Sequence, residues 1–364
     1  MTTIEIPPGT IDHHLKKNRN PGTTFALLPG VYTTRGIFDY AEEFDFCMLA
    51  PGCSIQGHGP KTEIRIENPV LFHRGNPTGY TEVLTGGAKS KPGVGNPCVS
   101  IRDLNIDANL SGDVAGIGIH LWGEQCVVDN VVVRGIFGNR NAQRPSEGFG
   151  ILINSPEFKS SGVQGANTIS NCAVLLASTD DENYSTGIYM GVVRNSKTAR
   201  SRIFNCICSP ESGIGRGHAA FAANDHVDII NCSALRFIRA FFCDTRSMRN
   251  IVIQNMFAQG IDWALDIRVG QGSQISNMEF RDCVFDFEPS GLDYAQAIRM
   301  EDIGDGQNLI AGIYFNRSTF TTNAFNASMG RTRGPLVSAP EFRECRWIGR
   351  WQLPVTQEGA EPWY

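Results

Sequence analysis

The chain has 364 residues, 39 glycines, 18 prolines, 19% charged side chains and a formal net charge of -5. The acidic balance argues against nucleic acid as a partner, since a phosphate-binding face needs a basic excess, and no apolar run approaches the roughly 20 residues that cross a bilayer. Eleven cysteines without the tight spacing of a disulfide scaffold read as reduced thiols.

From Met1 to Pro8 there is neither a basic region nor an apolar stretch, so no secretory signal is read there. A cytoplasmic protein is the expectation, with a virion-associated one or a removed leader as alternatives. Thr10 followed by Ile11-Asp12-His13-His14-Leu15-Lys16-Lys17 predicts a short helix, N-capped by Thr10, that plugs one end of the fold. Residues 1–23 are read as this cap and lead-in, 24–350 as one elongated all-β domain, and 351–364 as a tail. Thr24 to Tyr32 and Ser54 to Thr62 read as strands broken by Gly turns, and residues 74–97, rich in Gly, Pro, Thr and Lys, as a flexible lip.

From Cys98 a short pattern recurs. Each copy places an apolar or aromatic residue two positions before an Asn or an acid, as in Ile169-Ser170-Asn171-Cys172, Ile203-Phe204-Asn205-Cys206 and Ile229-Ile230-Asn231-Cys232. The anchors are Asp103, Asn130, Asn171, Asn205, Asn231, Asn255, Asp282, Asn316 and Glu344. A short period with variable additions is the mark of a solenoid, whose units cannot bury their apolar faces alone and must stack strand on strand. The residue after each anchor then forms an inward column: Leu104, Val131, Cys172, Cys206, Cys232, Met256, Cys283, Arg317, Cys345. Its thiols read as small core-filling groups.

These Asn-Cys steps, with Thr24 to Tyr32 as an opening strand and turn and Ser54 to Thr62 as a first full coil, resemble the right-handed parallel β-helix of the pectin lyase-like superfamily over about residues 24 to 350. The resemblance implies the fold. It does not choose among that superfamily's lyases, hydrolases, transferases, epimerases and non-enzymatic spikes. The hydrolase pattern of polygalacturonases is missing, since Gly57-His58-Gly59 lies too early and Thr179-Asp180-Asp181 lacks its surroundings. The calcium and arginine motifs of pectate lyases are not recognisable either.

Four expansions follow the anchor segments: Arg134 to Glu147, Ala177 to Thr186, Ser209 to Gly217 and Val284 to Ala295. They are expected to project from one side. A second strand per unit aligns on inward pairs such as Ile151 and Ile153 or Leu265 and Ile267. By two-residue alternation its outward residues are His120 and Trp122, Leu152 and Asn154, Tyr189 and Gly191, Ala222 and Asn224, Phe242 and Asp244, Asp266 and Arg268, Arg299 and Glu301. Aromatics at one end and charges at the other suit an extended oligo- or polysaccharide. Asp244, Asp266 and Glu301 are the candidate catalytic carboxylates. One coil separates strands by about 4.8 Å and two by about 10 Å, which brackets the carboxyl spacings of retaining and inverting glycosidases. The bland alternative is a charge ladder along a solvated sheet.

Arg246, Arg268, Arg299, Trp122, Tyr189, His218 and Asp181 complete the candidate substrate contacts. No cofactor or structural metal is expected, although the acids Asp180 to Glu182 leave calcium as a lesser reading. The expected function is therefore a carbohydrate-active enzyme that cleaves or rearranges a glycosidic bond. The alternatives are a lyase on a uronic acid glycan, with Arg268, Tyr189 or His218 as base, and a non-catalytic glycan-binding β-helix. A tail ending in Trp363 and Tyr364 caps the far end or docks on a neighbour, so a homo-oligomer is among the expectations.

Overall fold

A computed structural model describes residues 2–17, 20–35, 37–38, 48–67, 81–86, 98–109, 115–138, 147–154, 166–179, 182–191, 200–212, 215–243, 247–270, 272–288, 294–303, 308–324, 326–334 and 336–352. The chain separates into two compact units, Met1–His218 and Ala219–Tyr364.

In the first unit a coil such as the one carrying Asn171 contributes three strands. Thr168–Ser170 and Ala173–Leu176 flank the anchor in one sheet, and Glu182–Gly191 lies in a second sheet. Each strand pairs in parallel with its counterpart one coil away: Ile169 with Ile203, Val174 with Cys208, Ile151 with Ile188. The second unit repeats this scheme, with Ile253 beside Phe280, Ala258 beside Phe285 and Leu265 beside Ile298. Parallel neighbours require long crossovers, and here the crossover is the rest of the coil. Among the described residues one pairing is antiparallel, between Ile37–Phe38 and Thr81–Gly86.

The anchors are where the backbone turns. Asp103, Asn130, Asn171, Asn205, Asn231, Asn255, Asp282 and Glu344 all have φ between 53° and 55°. Asn and Asp tolerate this left-handed conformation because their short polar side chains bond locally. In the first unit Asn130 donates to Asp103 at 2.6 Å and Asn205 to Asn171 at 3.1 Å; in the second, Asn255 donates to Asn231 at 3.0 Å. The inward column is buried from Leu104 through Cys283. Burial is the largest influence on the Cys126 and Cys283 thiols and pushes both up to about 12, so they act as packing groups.

One coil departs from the expected register. The left-handed residue is Arg317, with φ 48°, and not Asn316. Arg317 therefore does not point inward. It is exposed and grips Asp282 of the preceding coil through Nε at 2.8 Å and Nη2 at 2.9 Å, while Ser318 takes the buried position.

Other boundaries shift as well. The helix is Asp12–Lys17, and Thr10 lies in a short strand paired with Thr33, so Thr10 is not its cap. Asp12 is buried and accepts from the Thr34 hydroxyl at 2.6 Å and the Arg35 amide at 3.0 Å, and Ile11 and Leu15 are buried beside it. Strand pairing begins with Thr2–Ile6 against Thr23–Leu27 and runs to Trp351–Gln352, beyond the expected limits at 24 and 350. Part of the expected lip is a second-sheet strand, Thr81–Gly86, paired with Gly116–Trp122. The expansions are shorter than expected, because Val127–Ile136, Glu182–Gly191, Ile207–Pro210, Arg216–Ala223 and Val284–Phe287 are strands. Gly57 fits the first coil for a steric reason: a Cβ there would lie 2.3 Å from the Asp103 carbonyl oxygen.

The cores of the two units differ. The first is packed mainly with aliphatic and thiol side chains, with Phe25 and Tyr32 buried among them. The second is a ladder of rings in which Phe280 stacks on Phe315 at 4.3 Å and Phe315 on Phe342 at 5.2 Å, with Phe320 on Trp347 at 4.3 Å.

Candidate functional site

The outward rows of the second sheet follow the expected alignment. In the first unit His120 pairs with Leu152 and Leu152 with Tyr189, while Trp122 pairs with Asn154 and Asn154 with Gly191. In the second, Phe242 pairs with Asp266, Asp266 with Arg299 and Arg268 with Glu301. The first unit's face is aromatic. Trp122, half-buried, lies with its ring 4.7 Å from that of His120, which is buried and 3.4 Å from the Asn154 amide. Tyr189, half-buried, meets Phe149 edge to face at 6.1 Å. His218 is buried against Tyr184, 4.4 Å between rings.

In the second unit the charged residues converge. Asp266 has no exposed surface. Its Oδ2 accepts from Arg239 Nε, Arg299 Nη2 and Arg268 Nη2, the last at 3.2 Å, and its Oδ1 accepts from Arg299 Nε at 2.7 Å. Arg299 is thus bidentate, the geometry in which a guanidinium holds a carboxylate best. The rings beneath complete the cluster: Arg299 lies 3.9 Å above Trp263 and Arg239 5.0 Å above Phe242. Burial, the largest single influence, raises the Asp266 pKa, but the Arg299 hydrogen bonds and the charges of Arg239, Arg299 and Arg268 together outweigh it and hold the carboxyl below its ordinary value. Arg239 is lowered, by burial first, against the raising pull of Asp266.

Asp266 is therefore an ionised carboxylate whose oxygens are occupied by three guanidiniums. Glu301 is half-buried and lies opposite Arg268 in register. Asp244, Arg246, Asp180 and Asp181 lie outside the described residues, and no group of His, Cys, Asp or Glu with metal-ligand geometry occurs among those described.

Arg239 and Trp263 were not among the sequence candidates, and the reason is local. Register omits one buried small residue in several second-sheet strands: Gly118 and Gly150 in the first unit, Ala240, Ala264 and Ala297 in the second. The two-residue alternation breaks there, and Arg239 and Trp263 come to the side on which Asp266 lies. A single Arg within the apolar run Phe237-Ile238-Arg239-Ala240-Phe241-Phe242 was the available signal.

No protein-family profile matches the chain, and no curated protein matches it in sequence. Among solved structures, the catalytic domain of a GH87 α-1,3-glucanase is similar with TM-score 0.52 and 13% identity, over 98% of this chain and 68% of that one. A family 28 exopolygalacturonase of Yersinia enterocolitica gives 0.51 and 10%, over 96% and 75%. The polygalacturonase of Erwinia carotovora gives 0.50 and 12%, over 96% and 94%. The chain has the right-handed parallel β-helix fold of these pectin lyase-like proteins.

Proposed function

We propose that this chain is a carbohydrate-active enzyme that breaks or rearranges a glycosidic bond on the outward face of its second sheet. The observation that carries the proposal is the register of the Ala219–Tyr364 unit, which sets Asp266 beside Arg299 and Arg268 beside Glu301 on one face, with Trp263 and Phe242 supplying rings under the guanidiniums. The glucanase and polygalacturonases that share the fold act on sugars, which supports the same class of substrate.

In this reading Asp266 is a fixed negative charge, because a carboxylate held below its ordinary pKa has no proton to donate and, with no exposed surface, no access to a sugar carbon. The acid and base fall to Glu301 and to Asp244, the two remaining carboxylate candidates. Arg268, Arg299 and Arg246 orient the sugar.

One observation favours a second reading, the uronate lyase. Arg268 Nε is buried and bonded to nothing, so this guanidinium is the least committed of the three. Digestion of a panel of neutral and uronic acid glycans, followed by reducing-end release and ultraviolet absorbance, separates the two. New reducing ends without absorbance identify a hydrolase, and absorbance from an unsaturated product a lyase. No product from any member, with binding retained, contradicts the enzymatic proposal.

A further inference from the structure

We propose that the guanidinium cluster of the Ala219–Tyr364 unit is an anion-recognition subsite, in which Arg268 and Arg299 take a carboxylate or sulfate group of an acidic glycan and Asp266 is their internal counter-ion. This rests on the proposal that a glycan lies on this face, and it names the kind of glycan.

Charge comes first. Three guanidiniums meet one carboxylate, although the whole chain carries a net charge of -5. A structural ion pair needs one partner for Asp266, and each further buried guanidinium adds desolvation without a carboxylate of its own. Asp302 accepts from the Asn308 amide and side chain, and the register sets Arg333 opposite Glu301. Glu301 lies opposite Arg268 in the outward row.

Exposure then separates the three arginines. Arg239 is 4% exposed and sealed, whereas Arg299 is 16% and Arg268 33% exposed, so the positive charge reaches the surface through these two. Their bonding differs as well. Arg299 is held by both Asp266 oxygens and by the Trp263 ring, which fixes its plane. Arg268 has a single hydrogen bond to Asp266, a distant Phe242 ring at 5.9 Å and the unbonded Nε. A planar fork with one arm anchored and donors unspent is the form in which arginine recognises carboxylate and sulfate oxygens bidentately. The rings hold the guanidinium planes in advance, so less side-chain freedom is lost on binding.

The test is calorimetric titration of the full chain with hexuronic acid oligosaccharides, sulfated oligosaccharides and neutral oligosaccharides of the same length, at low and at raised salt. The expected result is that at least one acidic series binds ten-fold or more tighter than its neutral counterpart, with the preference shrinking as salt rises. Arg268→Gln should remove most of that preference at an unchanged melting temperature, and Arg268→Lys should restore only part of it. A difference between the carboxylated and sulfated series assigns the anion; equal binding of both assigns charge alone, and each supports the subsite. Equal affinity for acidic and neutral oligomers, no binding of any oligomer, or an acid preference untouched by Arg268→Gln would overturn it. Cleavage confined to neutral glycans would overturn the subsite and leave the enzymatic proposal standing. Acid-selective binding without cleavage would do the reverse.

Discussion

At the scale of single residues, Asp266 shows how burial and charge compete. Taken alone, its loss of solvent would make it a proton donor, yet three guanidiniums reverse the sign. Replacing it by Asn leaves Arg239, Arg268 and Arg299 crowded around a neutral amide, and breaking a buried pair in this way costs about 3–5 kcal/mol. Asp266→Asn is therefore expected to lower the urea midpoint markedly at neutral pH. Because the folded pKa is depressed, this stabilisation is present above the unfolded value of about 3.9 and is lost as pH falls through the folded one. The gap between parent and variant should be flat from about pH 5 to about pH 8 and close only in stronger acid. Equal midpoints at neutral pH would show that the cluster contributes nothing to folding. Sequence alone singled out Asp266, Arg268 and Arg299 by alternation, but not the guanidinium from Arg239, which reaches Asp266 only because alternation breaks at Ala240 and Ala264.

At the scale of the element, the anchor turn is the unit the chain repeats. Asn recurs there because it satisfies two demands, a left-handed backbone and a side chain that bonds to the next coil. Separate substitutions separate the two demands. Asn205→Gly keeps the conformation and loses the 3.1 Å bond to Asn171; Asn205→Ala loses the bond and keeps a Cβ, without the local bonding of the Asn side chain, in a conformation that costs roughly 1–2 kcal/mol. Ala is thus expected to destabilise more than Gly, read as successive drops in urea midpoint, and the reverse order would remove backbone strain from the explanation. The anchors were legible in the sequence since their partners are other copies of the same pattern. Arg317 was misplaced by one residue because Asn316 has the preferred chemistry for the turn, while the Asp282 carboxylate in the preceding coil rewards an arginine at the turn itself. That reward lies in another coil, and local preference does not contain it.

At the scale of the molecule, each unit keeps the same stacked scheme but gives its outward face a different character, aromatic in Met1–His218 and charged in Ala219–Tyr364. Inward columns were readable because they repeat. The outward rows were readable as rows, but what covers them was not: His120 and Leu152 point outward in register and are nevertheless buried. The chemistry proposed here depends on a residue that the fold leaves partly open, Glu301. The most direct measurement is the initial rate of the parent and of Glu301→Gln on the most reactive glycan of the panel, with melting temperature recorded for both. A loss of about 100-fold or more in kcat at an unchanged melting temperature is the predicted result. Equal rates would contradict a catalytic carboxylate at this position and move the chemistry off the charged face.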